Sequence, residues 1–326
     1  MRKFRKTAHG AALLALALFI GACGSGVGGD DDDAGAGAGD GNGNGGEPVA
    51  AQLVLGGPPE CPERPFCIPG LQETYGIEFQ DFKPLDVAGP LTIDALGSGE
   101  IDVALLFSTQ AVIADRGWVL LEDDKGLQTA ENIAPVVSHS VHEGTIEGLL
   151  NEVSGALTTE NITELNGRVE IDGEKPADVA ADFLESEGIS GEGESGSGNI
   201  TVGAVAFAEN QIVAEMYAHV LEQAGYSVNR QLDLGSREIL QPALESGEVH
   251  VAPEYLGSLL LFLDPEAEAS GDAQANADLL LPLLDQRGIG LLQYSEANDT
   301  NAFVVTQETA DQYGLQSVSD LAEPGS

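Results

Sequence analysis

The stretch Ile200–Leu263 decides the fold: ITVGAVAFAEN (200–210), a helical segment with one apolar face, then LDLGSREILQPALESGEVHVAPEYLGSLLLFL (232–263). It reads as strand, helix, strand, helix, strand. Ile212, Val213, Met216, Val220 and Leu221 recur at the spacing of one helix face, which marks them as core, and Gly225 supplies the stop. The pattern has an earlier counterpart. ALGSGEIDVA (95–104) returns as ALESGEVHVA (243–252), 148 residues on; Val54 and Val202 also stand 148 apart, and Gly76 and Gly225 stand 149 apart. This predicts two similar α/β lobes; the other account is convergent use of one helix-stop and strand-start chemistry.

Working outward, strands are expected at Leu53–Leu55, Ile77–Phe82, Asp102–Phe107, Trp118–Leu121, Ala134–Ser138, Val249–Ala252, Gly290–Tyr294 and Ala302–Thr306. Helices are expected at Pro90–Leu96, Ile146–Leu157, Thr159–Val169, Pro176–Glu187, Tyr255–Leu263, Ala275–Arg287, Glu308–Tyr313 and Val318–Ala322. Alternation with short connections predicts open, mostly parallel sheets. Two stretches, Gly24–Glu47 and SGEGESGSGN (190–199), hold too little apolar surface to order themselves and read as a flexible tether and a flexible linker.

The chain has 326 residues with 54 acidic and 13 basic side chains, a formal charge of −41. That surface repels nucleic acid and anionic lipid headgroups. Arg2, Lys3, Arg5 and Lys6 precede an apolar run, Ala11–Ile20, too short to span a bilayer. The run ends Ile20-Gly21-Ala22-Cys23, which resembles a bacterial lipobox, so residues 1–22 are expected to be a signal peptide and Cys23 the lipidated first residue. A plain secretory signal is the alternative. Cys61 and Cys67, spaced C-x5-C in an exported chain, read as one local disulfide; a metal site there finds no further Cys or His nearby.

No phosphate loop, nucleophile elbow, H-E-x-x-H or dinucleotide fingerprint occurs, which argues against an ordinary enzyme and against a bound cofactor. His139 and His142 are a weak metal pair with no evident third ligand, and no metal site is expected.

Several phrases, taken together, resemble one family. LGSREILQPALESGEVHVAPEYLGS (234–258), DTNAFVVTQETADQYGLQSVSDLA (299–322), LVLGGPPECPERPFCIPGL (53–71) and FKPLDVAGPLTIDALGSGEIDVALLFST (82–109), followed by VLLEDDKGLQ (119–128), are similar to the osmoprotectant substrate-binding proteins of ABC importers. Those proteins take glycine betaine, choline and related quaternary amines. The resemblance covers residues 50–190 and 199–322 in the reverse of the family's order, so the chain looks like a circular permutant joined through residues 190–199. It implies an α/β, two-lobed periplasmic-binding-protein-like fold of type II, circularly permuted, with the ligand cleft between lobes. The expected layout is a tether at 23–49, lobe two at 50–117, a hinge crossing and the first part of lobe one at 118–190, a linker at 191–199, the rest of lobe one at 200–296, and a second crossing with the rest of lobe two at 297–326. The expected setting is the cell envelope, anchored by lipid to the outer face of the cytoplasmic membrane. There a monomer would deliver its ligand to ABC permease subunits. The alternative is a sensor or interaction lipoprotein that keeps the fold without transport.

A quaternary ammonium has no hydrogen to donate and is held by aromatic faces. Tyr255 in PEYLG matches the tyrosine of the family's PEYTG phrase, a cage residue, though core packing is the ordinary role for such a side chain. Phe107 aligns with a family tyrosine, here without its hydroxyl. Asn301 falls where some relatives carry an aromatic, and Phe207 follows the first strand where the family has NFTE. Ser236 and Arg237 open a helix whose amides or guanidinium suit a carboxylate; the plain alternative is an N-cap with a surface pair to Glu238. Ser108 and Thr109 mirror the Phe207 region in the other lobe, and Thr92 sits at a helix start.

Overall fold

The computed structural model describes residues 46–325. The expected signal peptide, Cys23 and most of the tether lie outside the described residues.

The chain visits lobe two, then lobe one, then lobe two again. Its first visit runs β1 (Val54–Gly57), a short turn of helix α1 (Ile68–Gly70), β2 (Asp81–Pro84), α2 (Pro90–Gly97), β3 (Val103–Phe107), α3 (Val112–Asp115) and β4 (Val119–Leu120). Lobe one follows with β5 (Ile133–Ser138), α4 (Gly144–Ala156), α5 (Thr159–Glu170), α6 (Pro176–Glu187), β6 (Asn199–Gly203), α7 (Ala208–Gln223) and β7 (Ser227–Gln231). It continues through α8 (Arg237–Ser246), β8 (Val251–Tyr255), α9 (Leu256–Leu263), α10 (Ala273–Asp285) and β9 (Ile289–Leu291). The return visit adds β10 (Asn301–Val305) and α11 (Gln307–Tyr313).

Each lobe is built on one five-stranded sheet, ordered β2-β1-β3-β10-β4 in lobe two and β7-β6-β8-β5-β9 in lobe one. The two orders are the same topology. In each, two parallel pairings join three strands and two antiparallel pairings add the other two, so that a single strand, β10 or β5, runs against the other four. Val54 and Val202 occupy equivalent strands, so the 148-residue repeat is a structural one. The sheets are mixed rather than mostly parallel. The reason is the crossings: β5 and β10 each enter their sheet from the other lobe and run against the strand they join.

Both faces of each sheet are covered, and alternation along single strands divides the cores. Ile133 and Val137 of β5 point into the layer of α4, α6 and α7, while Ala134 and Val136 point toward α8, α9 and α10. In lobe two, Val103 and Leu105 face one cluster, and Ala104 and Leu106 the other. Helix α7 is apolar around most of its circumference because it is buried on all sides: Ile212, Val213, Ala214, Met216, Tyr217, Val220 and Leu221 are all inaccessible. Thr158 and Asn161 form a capping box at the start of α5, Pro176 starts α6, and Gly188 ends α6 with φ 70°. Cys61 and Cys67 are joined by a disulfide, Cα to Cα 5.3 Å, inside the lobe-two core.

Two expectations of layout change. The first crossing does not lie at 118–124, because β4 pairs with β10 in the lobe-two sheet. Asp123 then accepts hydrogen bonds from the amides of Leu127 (2.9 Å) and Gln128 (2.7 Å) and from the Tyr75 hydroxyl, pinning this turn to lobe two. The span between lobes is therefore Gln128–Asn132, beside a second span, Ala297–Thr300. The two spans pair with each other: Asn132 bridges Asn298 antiparallel, and the Ile133 amide donates to Ala297 O at 3.0 Å.

The linker is also not a free tether. The Gly191 amide donates to Gln223 Oε1 (3.0 Å) and the Gly196 amide to Ala224 O (2.8 Å). A Cβ on Gly191 would come within 2.1 Å of Val220 O, and one on Gly196 within 2.2 Å of the Tyr226 ring. Glycine lets the segment lie flat on lobe one. Finally, the ends of the folded body meet. Pro48 bridges Pro324, and the Val49 amide donates to Glu323 O at 2.9 Å.

Candidate functional site

Lobe one presents its site at the C-terminal ends of β6 and β8, and Asn210 holds the two together. Its Oδ1 accepts from the Val205 amide (2.8 Å) and its Nδ2 donates to Pro253 O (3.1 Å). This fixes Phe207, in extended conformation just before α7, against Tyr255 at the end of β8. The rings stack with centroids 5.9 Å apart and 28° between planes. Phe207 is 40% exposed and Tyr255 7%, so the pair offers one open aromatic face backed by a buried one.

Behind the pair lies a buried carboxylate. The Tyr255 hydroxyl donates to Glu209 Oε1 at 2.8 Å, and Asn166 Nδ2, from α5, donates to Glu209 Oε2 at 3.0 Å. Thr109 of lobe two stands close enough to Glu209 to draw its carboxyl down, against the effect of burial. The same Asn166 Nδ2 reaches Thr109 O at 3.1 Å, and the Thr109 amide donates to Asp299 Oδ1, on the second crossing, at 3.2 Å. The lobes thus touch through Thr109. Burial pushes the carboxyls of Glu209 and Asp299 above the usual range, and the charge of Glu209 pushes Asp299 further. Burial, then the Glu209 charge, keeps Tyr255 firmly protonated.

Glu131, on the first crossing, accepts from Thr129 Oγ1 (2.7 Å) and from the Ser258 amide (2.9 Å) in the first turn of α9. Burial raises its carboxyl above the usual range against those bonds. Gly257 permits this seat, since a Cβ there would meet Thr129 Oγ1 at 2.7 Å and Glu131 Oε1 at 2.8 Å.

The structure therefore gathers Tyr255, Phe207 and Thr109 around Glu209, and leaves other candidates apart. Phe107 and Asn301 are register partners across β3 and β10 and share a small cavity in lobe two with Pro58, Arg64 and Val87. The Asn301 amide is spent on Gln128 Oε1 at 3.1 Å. Ser108 closes the second crossing, accepting from the Thr300 amide at 2.9 Å. Ser236 marks the start of α8 without a side-chain cap on its amides.

Two further candidates are engaged in bonds within their own lobes. Thr92 is fully buried, with Oγ1 donating to Asp86 Oδ1 at 2.7 Å; it braces the start of α2, whose amides Asp86 caps. Arg237 has no surface pair with Glu238. Its Nε and Nη2 grip Glu254 at 2.7–3.1 Å, and Nη2 donates to Ser258 Oγ at 2.9 Å. Burial opposes its charge, but Glu254 more than restores it. Its fork is thus engaged within lobe one rather than held open for a carboxylate.

Glu209, Asp299, Glu131, Glu254 and Asn166 escaped the sequence reading. The first and fourth stood beside chosen residues, in AFAEN and PEYLG, and a buried acid next to an aromatic was the available signal. An open groove of about 620 Å³ between α3 and α5, lined by Ala111, Asp115, Glu164 and Arg168 among others, has no aromatic wall and does not suit a quaternary amine. No group of three or more metal-ligating side chains occurs among the described residues.

Two sheets of one topology, joined by a paired double crossing with a polar seam between them, define a two-lobed binding-protein architecture. Comparison with known families gives the particular one. Residues 45–186 and 198–326 match the substrate binding domain of ABC-type glycine betaine transport systems, and the chain belongs to that family. A glycine-betaine-binding protein of Pseudomonas aeruginosa is 31% identical over 152 residues, 44% of this chain and 48% of that protein. The carnitine transport binding protein OpuCC of Listeria monocytogenes is 32% identical over 143 residues, 43% of this chain and 46% of its own length. Each alignment spans about half the length of the relative it matches. Among solved structures, an ancestral arginine-binding protein bound to arginine aligns over 84% of this chain and 92% of its own, at 13% identity and a TM-score of 0.38.

Proposed function

We propose that this chain is the extracytoplasmic substrate-binding component of an ABC importer and that it takes a glycine betaine-, choline- or carnitine-type quaternary amine between its lobes. The observation that carries this reading is the Phe207–Tyr255 stack, with an exposed aromatic face on the interlobe seam and Glu209 behind it. An aromatic face backed by a carboxylate attracts a poorly hydrated cation and gives little to an anion. Lobe closure about the paired crossings would bury the ligand and present both lobes to permease subunits. The ATP-hydrolysing subunit is then a separate chain.

Two further parts belong to the same reading. The family's two segments stand here in exchanged order, a circular permutation. The break in the family match at 187–197, where the linker lies, supports it, as does the meeting of Pro48 with Pro324. Cys23 carries the lipid anchor, and the folded body stays outside the membrane as a monomer. No helix among the described residues is long and apolar enough to cross a bilayer.

The test is isothermal titration with choline, glycine betaine and carnitine, with glutamate as the anionic control. Saturable binding of at least one quaternary amine, with none for glutamate, is expected. Tight glutamate binding without any amine binding would overturn the ligand class.

A further inference from the structure

The carboxylates of the interlobe seam are out of balance with the bases that reach them. Facing Glu209 are Asp299 from the second crossing, Glu170 at the end of α5, the Tyr255 hydroxyl from β8, Asn166 from α5 and Thr109 from lobe two. Facing Asp299 are Glu209 and, across the first crossing, Glu131. Arg237 acts on Glu131, but its fork is closed on Glu254, so that pair adds no net positive charge. Glu209 is buried, Asp299 and Glu131 are half-buried and Glu170 is exposed, and no salt bridge reaches Glu209, Asp299 or Glu131 among the described residues, so their negative charge is poorly compensated within the seam.

A second observation points the same way. Asn166 is 2% exposed and spends its Nδ2 on Glu209 and on Thr109 O, while its Oδ1 has no partner among the described residues. A buried acceptor left over in the amide that touches Glu209 calls for a donor or a positive charge. Asp299 is half-buried, so it is the member of the pair that a ligand meets first, with Glu209 behind it. Phe207, 40% exposed, stands over the Tyr255 ring whose hydroxyl ends on Glu209.

We propose that Asp299 and Glu209 form the subsite for the ligand's positively charged nitrogen, with Phe207 as its aromatic wall. This rests on the reading of the seam as an amine-binding cleft and names the residues that select charge. Burial favours the protonated form of both carboxyls, and a cation seated beside them favours proton loss. The sign follows from burial, which raises both carboxyls in the folded state. The native form keeps protons that the unfolded chain has already lost. Their contribution to stability is complete below the ordinary carboxylate range and disappears as pH rises through the raised values.

The experiment is titration calorimetry at neutral pH in phosphate and in Tris, whose ionisation heats differ. The probes are choline, glycine betaine and arginine, against the parent protein, Asp299→Asn and Glu209→Gln. Choline binding to the parent should be accompanied by net proton release. Each variant should bind at least ~10-fold more weakly, with less release. Asp299→Asn keeps an acceptor for the Thr109 amide and removes a half-buried ionisable group, so it carries the test if Glu209→Gln does not fold. Choline binding with no proton release, or with unchanged affinity in Asp299→Asn, overturns the subsite. If neither quaternary amine binds but arginine does, with proton release that Asp299→Asn abolishes, the subsite stands and the quaternary-amine reading falls. If no cation binds the parent protein, both fall.

Discussion

Replacing Arg237 by methionine removes the partner of one of the most buried charges in the molecule. Arg237 gives Glu254 three N–H contacts between 2.7 and 3.1 Å, and Glu254 is 3% exposed. After Arg237→Met the carboxylate keeps one long contact, from the Tyr255 amide at 3.3 Å. A buried pair broken from one side costs about 3–5 kcal/mol, because the remaining charge is stranded. For a folded body of this size that is a fall in Tm of roughly 6–20 °C. The assay is urea unfolding without ligand, followed by far-ultraviolet circular dichroism, on the parent, Arg237→Met, Glu254→Gln and the double variant. Arg237→Met/Glu254→Gln should regain most of the loss, since no charge is then stranded. A loss below about 1 kcal/mol in Arg237→Met, or a double variant as weak as the two singles added, would refute the reasoning. If the guanidinium instead serves a ligand carboxylate, Arg237→Met will weaken glycine betaine far more than choline at unchanged stability.

Tyr255→Phe keeps the stack on Phe207 and loses the donor to Glu209, whereas Tyr255→Ala loses both. Choline titration should show Ala costing about 2- to 30-fold in affinity, Phe costing less, and Tyr313→Ala on α11 costing little. Tyr217 Oη and Ser154 Oγ are buried in the core of lobe one with no hydrogen-bond partner among the described residues, so Tyr217→Phe/Ser154→Ala should be neutral or stabilising by up to about 1 kcal/mol in urea unfolding. Thiol labelling of unfolded, unreduced protein should leave Cys61 and Cys67 unmodified, and reduction should cost about 2 kcal/mol, as befits a loop closed over a separation of 6 residues.

The repeat made the two lobes legible, because ALGSGEIDVA and ALESGEVHVA each encode a helix stop and a strand start within ten residues. Strand direction was not legible in the same way. Nothing inside IAPVVS says that it will join β8 antiparallel, since its direction is set by where the crossing delivers it. Trp118–Leu121 was legible as a strand but not as the end of lobe two, because its partner β10 lies far along the chain. At the site, aromatics announced themselves and acids did not. In a chain with 54 acidic residues a single Glu or Asp carries no signal, and only burial separates Glu209 from a solvated neighbour such as Glu222. The partner of Arg237 was hidden for a related reason. Its partner lies 17 residues away, and adjacency favoured Glu238.

The paired crossings have a mechanical consequence. Two strands that bond side by side, Asn132 against Asn298 and Glu131 N on Asn298 Oδ1 at 2.7 Å, make a ribbon rather than two independent cords. A ribbon bends readily across its flat face and resists torsion and in-plane shear, because those motions slide one strand past the other and stretch the bonds between them. The lobes are therefore confined to one soft degree of freedom, opening as a book opens about its spine. Asp299 lies on that spine while Glu209 and Thr109 ride on opposite covers. Each closing stroke then returns Thr109 to the same two carboxylates, and recognition gains its repeatability from the stiffness of the ribbon.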